Sequence, residues 1–154
     1  MTLIVAAIGG NALRTEDGVG APSEWFDALT ASLPPLLDLL AAGHGLVITH
    51  GNGPQVGEEL LLARDLGAHV VFFLTGVDRV AVDFGKPGQR FLDRLTTVEA
   101  RQLLAAGEFP PGSMGSKVEA AVEFVERGGE RAVITSLDRI ADAAAGRAGT
   151  TIVR

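Results

Sequence analysis

Leu46-Val47-Ile48-Thr49-His50-Gly51-Asn52-Gly53-Pro54 is the stretch that decides the fold. Four consecutive apolar or β-branched residues read as a strand covered on both faces, the kind found in parallel sheets. Gly51 and Gly53 permit a tight turn. Pro54 is a natural first helical residue, because its ring presets φ and it lacks an N–H that would have no helical partner there. Val56, Leu60, Ala63 and Gly67 then recur on one face, so a helix is expected over residues 54–67. His50, alone at a strand end, reads as a packed or capping residue more readily than as a general acid or base.

The same grammar opens the chain. Residues 3–8 are a continuous apolar run closed by Gly9-Gly10-Asn11, a turn whose backbone N–H groups and Asn11 amide either face a ligand or serve simple turn chemistry. After a polar loop over 14–22, Ser23 is expected to cap a helix reaching about Leu33. Pro34-Pro35 removes two helix donors, which predicts a break or kink there and a second piece over 35–42, stopped by Gly43. Further strands are expected at 69–74, 131–135 and 150–153, with a hairpin of 80–82 and 90–92 around Gly85-Lys86-Pro87-Gly88. Thr96-Thr97-Val98-Glu99 has the form of a capping box and opens a helix to about Ala106, and Ser136 is expected to cap a last helix ending at Gly146.

Strands alternating with helices imply an α/β fold, a three-layer αβα sandwich with a mostly parallel central sheet, in one domain over residues 1–154. Right-handed crossovers bring the strand-to-helix loops to one edge. Ligands of such folds bind beyond the carboxyl ends of the strands, so the glycine turns are expected to share one polyanionic ligand.

A third glycine-rich segment fits that edge. In Pro111-Gly112-Ser113-Met114-Gly115-Ser116-Lys117, the glycines let N–H groups point outward and the following helix adds the positive end of its dipole. Lys117 sits in the first turn, where a cation is mildly unfavourable for the helix itself, and this suggests an anionic ligand such as phosphate. Lysine is scarce, with only Lys86 and Lys117 beside eleven arginines. The spacing is not that of the common phosphate loop. Read alone, the segment is equally a Gly/Ser-rich cap on an ordinary helix with a solvated lysine.

Composition narrows the function classes. A net charge of −6 without a basic run argues against nucleic acid and polybasic membrane binding, and points to a small-molecule ligand. The absence of cysteine rules out disulfides and thiolate metal sites, and His44, His50 and His69 lack metal-helix spacing, so no metal-binding residue is assigned. The apolar start is too short to span a bilayer and lacks a basic leader, which reads as a cytoplasmic protein. Gly51-x-Gly53-x-x-x-Gly57 admits a dinucleotide-binding alternative, but it is one residue longer than that fingerprint, and no acid ends the next strand before Asp78.

Ile8-Gly9-Gly10-Asn11-Ala12-Leu13, Thr49-His50-Gly51-Asn52-Gly53-Pro54-Gln55-Val56-Gly57 and Gly112-Ser113-Met114-Gly115-Ser116-Lys117-Val118-Glu119-Ala120-Ala121 closely resemble carbamate kinase, within the amino-acid-kinase fold. Leu74-Thr75-Gly76-Val77-Asp78, Phe84-Gly85-Lys86-Pro87 and Gly128-Gly129-Glu130-Arg131-Ala132 are similar to it as well. The resemblance implies reversible phosphoryl transfer between ATP and carbamate, giving ADP and carbamoyl phosphate, with magnesium. It implies that Gly9, Gly10, Asn11, Gly51, Asn52 and Gly53 hold the acceptor and the moving phosphoryl. Thr75, Gly76, Asp78, Met114, Gly115 and Lys117 would border the nucleotide, and Lys117, Asn11, Gly10 and Asn52 would form the catalytic set. Asp78 and Asp83 are the nearest carboxylates for magnesium.

The chain departs from the family pattern after about residue 67, where a long middle region carrying a lid and further lysine and aspartate residues is missing. It also has Gly76 where the family usually has Asp, and Ser116 where it often has Pro. Two readings follow. One is a compact kinase, and the other is a nucleotide- or acyl-phosphate-binding module without turnover. Loss of the middle region is expected to expose apolar surface and favour a homodimer.

Overall fold

The computed structural model describes residues 2–9, 22–51, 63, 65–110 and 112–154. In chain order the elements are β1 (Leu3–Gly9), α1 (Pro22–Ala41), β2 (Gly45–Gly51), β3 (Val70–Thr75), β4 (Val80–Val82), β5 (Arg90–Leu92) and β6 (Arg94–Thr96). Then come α2 (Thr97–Ala105), α3 (Met114–Glu126), β7 (Arg131–Ser136), a 3-10 turn (Leu137–Arg139), α4 (Ile140–Ala144) and β8 (Thr150–Val153). Of the helix expected over 54–67, Ala63 and residues 65–67 are described: Ala63 and Asp65 are helical, with Ala63 fully buried, and Leu66 and Gly67 form a turn.

The four runs read as buried strands share one sheet, in the order β2-β1-β3-β7-β8-β6. β1 pairs in parallel with β2 and β3, and β3 pairs in parallel with β7. β8 runs antiparallel to β7, and β6 lies parallel to β8 at the far edge. Side-chain alternation splits the core in two. Val5, Val71, Phe73 and Ile134 pack on Val118, Val122 and Val125 of α3, while Ile4, Ile8, Phe72 and Leu74 pack on Leu36 and Leu39 of α1. That is the three-layer sandwich, with both faces of the central strands dry, as their uninterrupted apolar runs require.

Three local expectations differ from the structure. α1 runs through Pro34 and Pro35 as one helix from Pro22. Thr30 and Ala31, four residues before the prolines, are both exposed, and burial of Leu36 and Leu39 holds the second half against the sheet. Ser136 makes no side-chain cap. The chain forms a 3-10 turn and then a five-residue α4, which suits Leu137 and Ile140, both buried three residues apart, because i and i+3 eclipse in 3-10 geometry. β6 was not anticipated, since three residues are too few to carry a period.

The β4–β5 hairpin forms as expected, outside the main sheet. Buried Thr150 of β8 fastens it there: the Val80 N–H donates to Thr150 Oγ1 at 2.9 Å, and that hydroxyl donates to the Leu92 carbonyl.

Candidate functional site

Parallel register aligns the carboxyl ends of β1, β2, β3 and β7. Gly9 lies opposite Gly51, Ile8 opposite Leu74, and Thr75 opposite Ser136. α3 begins at this same edge. A Cβ placed on Gly9 would lie 3.3 Å from the Leu74 carbonyl oxygen and 3.9 Å from Lys117 Cε. The Lys117 side chain therefore crosses the end of β1, half-buried, and its ammonium donates to the Ser113 carbonyl at 3.4 Å. Two segments more than a hundred residues apart in sequence meet here.

Local chemistry explains how α3 presents itself. Gly112 takes φ +73, and Ser113 at the N-cap makes no side-chain capping bond. The Gly115 N–H donates to the Pro110 carbonyl at 3.1 Å, and a Cβ on Gly115 would sit 3.0 Å from that oxygen, so a larger residue would have to push this backbone back. No acidic side chain occupies the first turn of α3. The positive end of its dipole and the Lys117 ammonium thus point toward the same edge, an arrangement suited to phosphate oxygens.

Beside this anion-favouring corner lies a cavity of about 270 Å3. Thr75, Gly76 and Met114, three of the residues expected at a nucleotide, line it. Val77, Phe84, Phe109 and Pro110 supply apolar walls, and Arg79 and Glu108 the charged ones. A cavity of similar size, lined by Gly67, His69, Phe124 and Arg127, lies where β3 begins and α3 ends, at the opposite edge of the sheet. Volume does not separate the two, but only the first adjoins the carboxyl ends of the strands, where open α/β sheets bind ligands.

The expected acidic residues are already engaged. Asp78 Oδ1 accepts from buried Thr135 Oγ1 at 3.2 Å, and Asp78 Oδ2 lies 3.5 Å from Arg79 Nε. Arg79 also pairs with Asp93 at 2.8 Å. Asp78 is not among the residues lining the cavity, and its contact with Arg79 is electrostatic, since Arg79 Nε is buried with no hydrogen-bond partner among the described residues. Asp83 pairs with Lys86 at 3.0 Å, and that bond raises the Lys86 pKa above its ordinary value. Among the described residues no group of three or more acidic or histidine side chains is placed to hold a metal.

Gly9, Gly51, Gly115 and Lys117 come together at one edge, whereas Gly10, Asn11, Asn52 and Gly53 lie outside the described residues. Sequence reasoning passed over Arg79, Phe84, Glu108 and Phe109. A signal was available for two of them: Glu108-Phe109 sits between the helix stop Gly107 and the glycine-rich segment, and a phenylalanine in a short loop needs an apolar partner.

A model of the amino acid kinase family matches residues 59–136. The carbamate kinase of Thermococcus kodakarensis is 39% identical over 125 residues, covering 75% of this chain and 40% of that protein. The carbamate kinase of Halobacterium salinarum is 52% identical over 92 residues, covering 60% of this chain and 30% of that protein. This chain therefore spans well under half the length of these relatives. Among solved structures, carbamate kinase from Giardia lamblia bound to AMP-PNP superposes with a TM-score of 0.89 at 19% identity, covering 99% of this chain and 98% of that one, a likeness of fold. No described helix is long and apolar enough to cross a membrane.

Proposed function

The chain belongs to the amino acid kinase family, and from that premise we propose that residues 1–154 act as one domain that transfers a phosphoryl group between ATP and carbamate. In the forward direction a carbamate oxygen attacks the γ-phosphorus, the bond from phosphorus to the ADP oxygen breaks, and carbamoyl phosphate and ADP leave. The observation that carries the proposal is the meeting of Lys117 with Gly9 beside the 270 Å3 cavity. Such chemistry asks a protein chiefly to position reactants and to neutralise charge on the transferring oxygens. Lys117 and the start of α3 supply that charge, and Gly9 leaves the backbone open to close approach.

In this reading Gly9, Gly10, Asn11, Gly51, Asn52 and Gly53 hold the acceptor and the moving group. Thr75, Gly76, Met114 and Gly115 border the nucleotide, while Asp78 acts through Arg79. Asp78 and Asp83 are each paired with a cation, so they do not form a ready magnesium cage. Magnesium, which supplies charge neutralisation when bound, is expected to arrive on the nucleotide phosphates, as it commonly does.

The test follows ATP formation from ADP and carbamoyl phosphate with magnesium, alongside nucleotide affinity. Lys117→Ala removes a charge-assisted contact of about 1.5–3 kcal/mol, so ATP or ADP binding should weaken roughly ten- to a hundredfold and ATP production should be lost. Equal binding by both proteins would overturn the assignment of Lys117. One observation favours a second reading, a nucleotide-binding module without turnover: Lys117 is the single lysine at this edge, Lys86 being held by Asp83. In that case affinity depends on Lys117 and no ATP forms.

Self-association is part of the proposal. Leu33, Leu37 and Leu40 of α1 and Ile48 of β2 are each about half exposed, and β2 is an edge strand without a charged residue.

A further inference from the structure

Glu108 differs from the other charged groups around the nucleotide cavity in making no ion pair among the described residues, although the Lys86 ammonium is close enough for the two charges to attract. Arg79 is neutralised by Asp78 and Asp93. Asp83 is neutralised by Lys86. Glu108 lines the cavity half-buried, and the one hydrogen bond to its carboxylate among the described residues comes from the Asp83 N–H, which donates to Oε2 at 3.3 Å. Asp83 lies at the mouth of the β4–β5 turn with φ +49, so this donor is set by backbone geometry, and Glu108 is aimed by the fold rather than by an ion pair. Among the described residues Oε1 accepts from no donor. A carboxylate partly removed from water needs such donors, and a ligand that supplies one is favoured over an otherwise identical ligand that does not.

Val77, Phe84, Phe109, Pro110 and Met114 offer apolar side chains suited to a flat ring, while the Thr75 and Ser113 hydroxyls are the other uncharged polar side-chain groups in the lining. At about 270 Å3 the cavity falls just below the roughly 300–1,000 Å3 of pockets that enclose whole drug-sized ligands. It therefore suits the base end of a nucleotide, with the phosphates outside toward Lys117. Resting on the nucleotide reading above, we propose that Glu108 is the residue that reads the exocyclic amino group of the nucleobase, selecting a 6-aminopurine over a purine with hydrogen or oxygen at that position.

The experiment compares binding of ATP with purine riboside 5′-triphosphate, which lacks only the amino group, and with inosine 5′-triphosphate, in wild type, Glu108→Ala, Glu108→Gln and Lys117→Ala. Wild type should prefer ATP over both analogues by about tenfold or more, the scale of one hydrogen bond to a charged group. In Glu108→Ala the preference should collapse to within about twofold. Glu108→Gln keeps an amide oxygen for the Asp83 N–H, so the hairpin contact survives, but it puts an NH2 donor where Oε1 stood, and the preference for ATP should fall and shift toward inosine 5′-triphosphate, whose oxygen at that position accepts. If Lys117-dependent ATP binding is present but wild type shows no preference, or the preference survives in both Glu108 variants, this inference is overturned and the nucleotide site stands. If no protein shows Lys117-dependent binding, both fail together.

Discussion

At the scale of single residues, the site depends on atoms that are missing as much as on those present. Gly115 has no side chain where the Pro110 carbonyl passes 3.0 Å from the would-be Cβ, and the Gly115 N–H itself holds that carbonyl. Alanine would gain up to about 1 kcal/mol of helix propensity, but forcing a methyl against a pinned backbone oxygen costs about 1–3 kcal/mol. Gly115→Ala is therefore expected to lower the urea midpoint with an unchanged slope, and to weaken ATP binding because the start of α3 must shift. Lys117 could be singled out from sequence because a lysine in a first helical turn runs against the dipole. Glu108 could not, since its role depends on a hydrogen bond to Asp83, twenty-five residues away in the hairpin.

At the scale of elements, α2 is the clearest case of local chemistry deciding structure. Thr96 Oγ1 accepts from the Glu99 N–H at 3.2 Å, and Glu99 Oε2 accepts from the Thr96 N–H at 2.8 Å, closing the capping box read in the sequence. Thr96→Ala is expected to cost about 1 kcal/mol in denaturant titrations. The Thr96 N–H, and after it the Thr96 hydroxyl, hold the Glu99 carboxyl below its ordinary pKa. A depressed folded-state pKa means that the contribution is present above the unfolded value near ~4.3 and is lost as pH falls through the folded one. Glu99→Gln should flatten this acid dependence, a result that nuclear magnetic resonance titration and acid melts can check. α1 tests the opposite case, a helix kept by packing against its own sequence. Pro34 is exposed. Proline inside a helix is about 3 kcal/mol worse than alanine, and the restricted unfolded chain returns up to about 1 kcal/mol, so Pro34→Ala should stabilise the protein by about 1–2 kcal/mol. An unchanged urea midpoint would mean that the helix already accommodates the ring without strain.

At the scale of the whole molecule, the sheet has two unlike edges. β6 ends it with three residues, whereas β2 offers seven uncharged ones next to the exposed leucines of α1. An uncharged edge strand beside apolar surface favours association, so sedimentation is expected to show mass rising with concentration, and Ile48→Lys should reduce it. A mass independent of concentration would remove the dimer from the proposal. The sequence by itself determined the strands, because runs such as residues 3–8 and 70–74 are apolar throughout and only a doubly covered sheet can bury them. It likewise determined the capping box and the hairpin, each of which rests on residues within a few positions of one another. Tertiary structure alone decided what joins across distance: that Lys117 lies over Gly9, that Asp78 turns to Thr135 and Arg79, that Glu108 faces the cavity, and that α1 continues through two prolines. The reason is physical. Local preferences are worth about a kilocalorie per residue and are written in neighbouring side chains, whereas burial against a sheet sums over many residues that only the folded chain brings together.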